Sequence, residues 1–176
     1  MPLVRAALDG ITPQPLKSER LDLELLRPEH ADEMAPLLDD PALHTYIGGE
    51  PASTAELRDR YEQHAVGRSP DRSEAWLNWI VRRRDSGQVV GTVQATASEQ
   101  QGRLVAEVAW VIGAAQQRQG YAREAAQLMV EWLRQQGVEV VIAHVHPQHE
   151  ASMAVARAVG LAPTGLVIDG EVRWEG

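Results

Sequence analysis

The sequence contains no cysteine. This excludes disulfide bonds, thiolate zinc sites and a cysteine nucleophile, and it is compatible with a reducing cytoplasm. No apolar run is long enough to cross a membrane, and the opening MPLVRAALDG lacks the apolar core and cleavage site of a signal peptide. We therefore expect a cytoplasmic protein without a membrane partner.

An excess of basic residues is also missing, since the formal net charge is −8 over 176 residues. Such an acidic chain is a poor general binder of nucleic acid phosphates, but it suits a cationic or amine substrate. The length fits a single domain with a sizeable core. We expect a monomer or homodimer that does not bind nucleic acid.

Hydrophobic periodicity predicts a mixed α/β domain over residues 19–176, preceded by a flexible, proline-containing lead-in over residues 1–18. The stretch RLDLELL alternates as a half-buried strand does. Pro28 suits the first turn of a helix that runs to about Leu38. Ser53 and Glu56 form a capping box at the start of a second helix.

The second half of the chain predicts an antiparallel meander followed by a crossover and a hairpin. Three strands come from WLNWIVRRR, QVVGTVQATA and RLVAEVAWVIG. From Gly120 the apolar period becomes helical, and Gly137 marks the helix end. The apolar VEVVIAHV is typical of a strand covered on both faces, which makes this step a right-handed β-α-β unit. A short helix follows from about Glu150, and Asp169–Gly170 predicts a C-terminal hairpin.

The segment GAAQQRQGYAREAA, residues 113–126, has the features of an anion site. A strand ends, a polar turn follows, and Gly120 stands where a helix begins, so free N–H groups and the helix dipole converge there. Arg118 and Arg123 add positive charge. An ordinary loop with a turn glycine remains an equal alternative, because single-glycine anion loops are weak signals.

The same residues resemble a known family. Residues 117–122, QRQGYA, match the Q/R-x-x-G-x-G/A motif of the GNAT N-acetyltransferases, and the predicted element order over residues 19–174 is similar to theirs. The stretches ERLDLELLRPEHADEMAPLLDDP and PQHEASMAVARAVGL resemble the subgroup that acetylates ribosomal-protein N-termini and small amines. The resemblance implies the GNAT acyl-CoA N-acyltransferase fold and acetyl-CoA as co-substrate. The implied cofactor-binding residues are Trp110, Val111, Ile112, Gln117, Arg118, Gln119, Gly120, Tyr121, Ala122 and His149.

The chain departs from the subgroup at three positions. His149 stands where the subgroup has an asparagine that helps to hold CoA, although an imidazole also donates hydrogen bonds. Leu161 replaces a phenylalanine of the core. Ala156 occupies the place of a tyrosine that protonates the leaving thiolate in many relatives, so the resemblance implies Ser152 as donor to the CoA sulfur. Alternatively, Ser152 satisfies backbone N–H groups in the first turn of its helix.

The stretch HVHPQH has the H-x-H-x-x-H spacing of metallo-β-lactamase-type hydrolases. Gln148 stands where those enzymes carry an aspartate, and no histidine follows residue 149. We therefore expect no metal, and a metal-dependent hydrolase built on His144, His146 and His149 is the less favoured alternative.

The resemblance instead places His144 on a strand that diverges from the pantetheine strand, facing the incoming amine. An ammonium must lose a proton before it attacks, and a histidine with an ordinary pKa near 6.5 suits that task. Glu107 is the competing base, and Glu171 is a weaker option. Alternatively, His144 is a buried packing residue and Glu107 is simply solvated. The implied acceptor-binding residues are Tyr46, Trp76, Trp79 and Glu171, although aromatic residues at such places are more often core.

Together these residues predict an acetyl-CoA-dependent N-acetyltransferase that acts on a primary amine of a peptide N-terminus or a small molecule. Without a cysteine, direct attack in a ternary complex is the expected route, with a strand amide near Val111 stabilising the oxyanion. The runner-up is an acyl-CoA-binding module without activity.

Overall fold

An eight-stranded sheet with the strand order β1-β2-β3-β4-β5-β6-β8-β7 organises the protein. The computed structural model describes residues 7–47 and 50–176, and of residues 45–47 only the backbone. The strands are β1 (Leu16–Lys17), β2 (Leu21–Leu25), β3 (Glu74–Arg83), β4 (Val89–Gln100), β5 (Arg103–Ile112), β6 (Val140–Val145), β7 (Ala162–Ile168) and β8 (Glu171–Glu175). The helices are α1 (described over residues 7–10), α2 (Ala31–Leu38), α3 (Pro41–Ile47), α4 (Thr54–His64), α5 (Tyr121–Gln135) and α6 (Glu150–Ala158).

The predicted mixed α/β architecture is confirmed. Strands β2 to β5 form the antiparallel meander, and β7 and β8 form the C-terminal hairpin. Strands β5 and β6, which precede and follow α5 in the chain, pair in parallel. The hairpin turn has Asp169 and Gly170 at φ 51° and 80°, as an Asp-Gly turn requires. Ser53 caps α4 by accepting the N–H of Glu56 over 3.2 Å.

The main core lies on the sheet face that α5 and α6 cover. Along α5, the residues that pack into it recur at helical spacing, from Ala125 through Met129 to Leu133. A smaller core on the opposite face packs α2 and α4 against Ile80 and Val89. No helix in residues 7–47 or 50–176 is long and apolar enough to cross a membrane.

The structure differs from the predicted elements at Pro28 and in the segment between α2 and α4. Residues Pro28–His30 form a 3₁₀ turn, and α2 begins at Ala31. Helix α3 was not predicted, because PALHTYI is too short to show a helical period.

The N-terminal segment also differs from the predicted flexible lead-in over residues 1–18. Leu8 and Ile11 are buried in the main core, and Leu16–Lys17 pairs with β2. The guanidinium of Arg68 donates to the carbonyl oxygens of Leu8 and Ile11, both over 2.7 Å. Two apolar side chains and these carbonyl contacts hold residues 7–17 on the domain, where the proline content suggested a loose chain.

Candidate active site

A cleft of about 550 Å³ opens where the end of β5 meets the starts of α5 and α6. Most of the cofactor-binding residues predicted from the sequence line it: Trp110, Val111, Ile112, Gln117, Arg118, Gly120, Tyr121, Ala122 and His149. Gln119 lies beside it and contributes a carbonyl oxygen to a neighbouring contact. Ala42 and Leu43 of α3, which the sequence did not indicate, complete the wall.

The cleft exists because β5 and β6 separate. Their parallel pairing runs from Val105↔Val140 to Glu107↔Ile142 and then ends. Gly113 N donates to Val90 O over 2.8 Å, so by strand alternation Val111 also directs its N–H and C=O at β4. The backbone groups of Trp110 and Ile112 therefore point to the open side. This edge suits an extended amide-containing chain, and it makes Trp110 and Ile112, rather than Val111, the strand amides that reach the gap.

The start of α5 has the geometry of an anion site. Gly120 is its N-cap at φ 81°, without a side-chain cap, and Arg118 before it is also at positive φ, 65°. The N–H groups of the first turn have no intrahelical acceptor and are accessible from the cleft. Arg118 and Arg123 line the same cleft. These donors and charges fit a pyrophosphate, and the cleft fits the rest of an acyl-CoA beside the open β5 edge.

Arg20 supports this turn from behind and was not predicted from the sequence. Its guanidinium donates to Gln119 O over 2.9 Å and to Glu124 Oε1 over 2.7 Å, and it lies 4.7 Å from the Tyr121 ring centroid. Ser18 Oγ donates to the same Glu124 carboxylate over 2.6 Å. Burial raises the pKa of Glu124, but these hydrogen bonds and the Arg20 charge outweigh it, and the net pKa is lowered.

Gln117 is fixed by its side chain, which donates from Nε2 to Ile112 O over 3.0 Å. The contact joins the loop to the end of β5. On the other side of β5, a Cβ atom at Gly91 would overlap Val111 O, so glycine is required there for the two strands to approach. The pantetheine segment predicted from the sequence is thus held from both sides.

Ser152, in the first turn of α6, faces the cleft, and its hydroxyl accepts a hydrogen bond from Trp110 Nε1 over 3.0 Å. An indole nitrogen only donates, so the serine proton is directed elsewhere. Ala156 is fully buried in the core and is not among the residues that line the cleft.

The two competing bases predicted from the sequence contact each other. His144 Nδ1 lies 3.0 Å from Glu107 Oε1, at the point where β5 and β6 stop pairing. The glutamate side chain is 60% exposed and the histidine 22%. If Nδ1 carries the proton that the carboxylate accepts, Nε2 keeps a lone pair. His144 Nε2 is buried and has no hydrogen-bond partner among the described residues.

The three histidines 144, 146 and 149 do not form a metal centre. Within the described residues, no group of three or more histidine or acidic side chains is placed to hold an ion. His146 Nδ1 accepts the N–H of Gln148 over 3.1 Å in the turn after β6. His149 is the N-cap of α6 and lines the cleft, and burial, aided by the His146 charge, lowers its pKa.

The predicted acceptor-binding residues separate into different places. Trp79 has no exposed surface: it donates to Gln14 O and packs its ring edge-on against Trp132, so its prediction was wrong. It points to the main core because it is an odd number of residues from Trp76, which faces the other side of β3. Glu171, by alternation with Arg173 opposite His144, is on the His144 face. The Tyr46 side chain lies outside the described residues.

Sequence comparison assigns the family. The model of the acetyltransferase (GNAT) domain matches residues 20–162. The chain belongs to this family. It is therefore an acetyltransferase that uses acetyl-CoA, as predicted, and the residues of the cleft described above fit that co-substrate. A comparison of this chain with curated proteins found no match.

Solved structures share the GNAT fold at low sequence identity. A GNAT acetyltransferase from Bacillus anthracis is 18% identical with a TM-score of 0.74, over 93% of this chain and 98% of that one. The ribosomal-protein α-N-acetyltransferase RimL in complex with coenzyme A is 17% identical with a TM-score of 0.76, over 93% and 97%. An aminoglycoside acetyltransferase in complex with coenzyme A is 16% identical with a TM-score of 0.72, over 89% and 94%.

Proposed function

We propose that the protein transfers the acetyl group of acetyl-CoA directly to a primary amine in a ternary complex. The observation that carries this proposal is the Glu107–His144 pair at the end of the β5–β6 pairing. The CoA cleft opens on the α5–α6 side of the sheet, whereas this pair lies on the opposite face. Donor and acceptor then approach the gap from opposite sides, which is the arrangement that direct transfer requires.

Proton removal falls to the Glu107–His144 pair. The amine arrives as an ammonium and has to lose one proton before its nitrogen can attack the thioester carbonyl. With its Nδ1 proton held by Glu107, His144 keeps a lone pair at Nε2, and the ammonium has to reach this buried nitrogen from the gap between β5 and β6 to lose its proton there. The carboxylate fixes the tautomer and stabilises the imidazolium that results.

Bond making and breaking balance through residues of the cleft. The new C–N bond forms as the C–S bond breaks. The attacking nitrogen then loses its second proton, which passes through the Ser152 hydroxyl to the thiolate, so that Ser152 ends the step with its proton restored. The amide N–H groups of Trp110 or Ile112 are oriented towards the developing oxygen charge. The remaining contribution to the rate is the placement of the two reactants, which the backbone N–H donors of β5 and α5 provide by holding acetyl-CoA.

Release of free thiol from acetyl-CoA in the presence of an amine panel tests this proposal. We expect release that depends on the amine and yields one N-acetylated product per thiol. Release without any amine would indicate hydrolysis, and binding of acetyl-CoA without release would indicate a silent binding module; either result would refute the proposal. The panel spans peptides with free N-termini, diamines and aminoglycosides, since proteins of similar structure include both a ribosomal-protein and an aminoglycoside acetyltransferase.

A further inference from the structure

A second cavity, of about 280 Å³, lies on the Glu107 face of the sheet. It is open to solvent and is lined by the end of α4 and by the outer side chains of β3 and β4: Gln63, His64, Trp76, Asn78, Gln94 and Thr96. Trp76 is opposite Thr96, and Thr96 is opposite Glu107 in the strand register. Neighbouring strands lie about 5 Å apart, so the cavity begins one strand from Glu107 and ends about 10 Å from it.

The lining side chains are polar, and none of them is an acidic group that would bind a second ammonium group of the acceptor. The lining contains three primary amides, one hydroxyl, an indole and an imidazole. The imidazole is that of His64, which packs edge-on against Trp76 at 6.3 Å between ring centroids. Burial, together with the Arg60 charge, lowers the pKa of His64, so it is neutral at pH 7.

The amide groups of the cavity have hydrogen-bonding capacity to spare. Asn78 and Gln94 are opposite each other on β3 and β4, and Thr96 follows on the same face. Within the described chain, none of these three side chains makes a hydrogen bond to another residue. Each amide offers both N–H donors and a carbonyl acceptor. A ligand group that carries a donor and an acceptor side by side, as an amide does, matches this pair.

We propose that this cavity binds an amide group of the acceptor, about 5 to 10 Å from the amine that is acetylated. The acceptor is then an amine that bears an amide at that distance, as in a peptide or an amide-containing small molecule, rather than a simple alkylamine or a polyamine. This inference rests on the proposed function, because it takes the Glu107–His144 pair as the position of the amine. The ring of Trp76 provides an apolar wall beside the amide.

Acceptor kinetics test the proposal with four amines: trialanine amide, 6-aminohexanamide, hexylamine and spermidine. We expect kcat/KM for the two amides to exceed that for the other two by about tenfold, the value of one or two hydrogen bonds. Asn78→Leu and Gln94→Met keep the side-chain volume and remove the amide. They should abolish this advantage and leave the KM for acetyl-CoA and the rate with hexylamine unchanged. Gln135→Met, an exposed change on α5, is the matched control and should alter nothing.

Two outcomes overturn the proposal: a preference for spermidine or hexylamine, or an equal effect of the variants on all four amines. A preference for trialanine amide alone would identify a peptide acceptor, and a preference for both amides would support the amide itself as the recognised group. Isothermal titration calorimetry with trialanine amide, compared between the parent protein and Asn78→Leu, measures binding without turnover. If no amine releases thiol, the proposed function falls, and this binding measurement still decides the site.

Discussion

The indole N–H of Trp110 donates to the hydroxyl oxygen of Ser152 over 3.0 Å, across the gap between β5 and α6. This contact uses one acceptor position of the hydroxyl and leaves its proton to be donated to another group. A strand residue predicted to lie beside the cofactor thus also orients the predicted proton donor. Under the proposed function, this contact would make Trp110 a positioning residue for the leaving-group step.

Trp110→Phe removes the indole N–H and keeps an aromatic ring in the cleft. We expect kcat to fall about fivefold to tenfold, because Ser152 then has more than one available orientation. Ser152→Ala should have a similar effect, and the double variant should be little worse than either single variant. Both losses should shrink with an acyl-CoA analogue whose thiol is more acidic. Additive losses in the double variant would show that the two residues act separately.

Replacement of His144 by alanine should lower turnover by about 10²- to 10⁴-fold, the usual contribution of a positioned acid–base group. The KM for acetyl-CoA should barely change, since the imidazole is on the opposite face from the cleft. Glu107→Gln should be milder, because an amide still accepts the Nδ1 proton but stabilises an imidazolium less. The measurement is kcat/KM against pH, and the acidic limb should disappear in the His144 variant. An unchanged limb would assign proton removal to Glu107, Glu171 or bulk water.

Arg20→Ala should raise the KM for acetyl-CoA by about fivefold with little change in kcat, because the turn at Gln119–Gly120 loses the support of its guanidinium. Arg20→Lys should restore part of the loss, as it keeps the charge and one donor. Arg58→Ala is a matched control. Arg20 and Arg58 are 45% and 44% exposed, and Arg58 pairs with Asp32 away from the cleft. If both alanine variants raise the KM equally, the effect is one of overall charge.

His30 should make the protein less stable in mild acid. Its side chain is 1% exposed and accepts the Arg27 N–H at Nδ1, and burial lowers its pKa below the usual 6.5 despite the hydrogen bond from Nε2 to Glu24. The unfolded chain binds the proton more readily, so the free energy of unfolding falls as the pH drops below 6.5 towards the folded-state pKa. His64 and His149 have lowered pKa values and act in the same direction.

Urea unfolding between pH 7.5 and pH 5 measures this dependence. One proton accounts for a slope of at most about 1.4 kcal/mol per pH unit. His30→Asn retains an acceptor for the Arg27 N–H but does not titrate, so the slope should decrease by up to that amount. The remaining slope should come from the partly buried imidazoles of His64 and His149. An identical slope in the variant would mean that His30 does not contribute to the acid sensitivity.

Local patterns in the sequence predicted most of the sheet and its longer helices, and most of the residues that they marked for the cofactor line one cleft. Alternation identified β2 to β5, and the glycine before a helical period located the anion turn at Gly120. Arg20 was missed because it acts on that turn across about a hundred positions of sequence, and no local pattern shows such a contact. Trp79 was misassigned because it is on the same strand as Trp76, and composition alone does not reveal which face each side chain occupies.

The arrangement of the residues on the acceptor side of the site depends on the register between neighbouring strands, which the sequence specifies weakly. That Trp76, Thr96 and Glu107 lie in one row follows from how β3, β4 and β5 are aligned, and a shift of one residue would turn each side chain to the other face. The Glu107–His144 contact has the same origin, since it depends on where the parallel pairing ends. The two bases were predicted as rivals, whereas their contact makes them a single unit.

The unpaired end of β5 has a further consequence, for the lifetime of the empty enzyme. A strand edge with free N–H and C=O groups is a template for pairing with another chain. Until acetyl-CoA fills the gap, the amide hydrogens of Trp110 and Ile112 are open to exchange with solvent, and the segment is the natural place for self-association to begin. In the proposed complex, the pantetheine arm would act as a missing strand segment. By covering this edge, bound acetyl-CoA would also protect the protein from self-association.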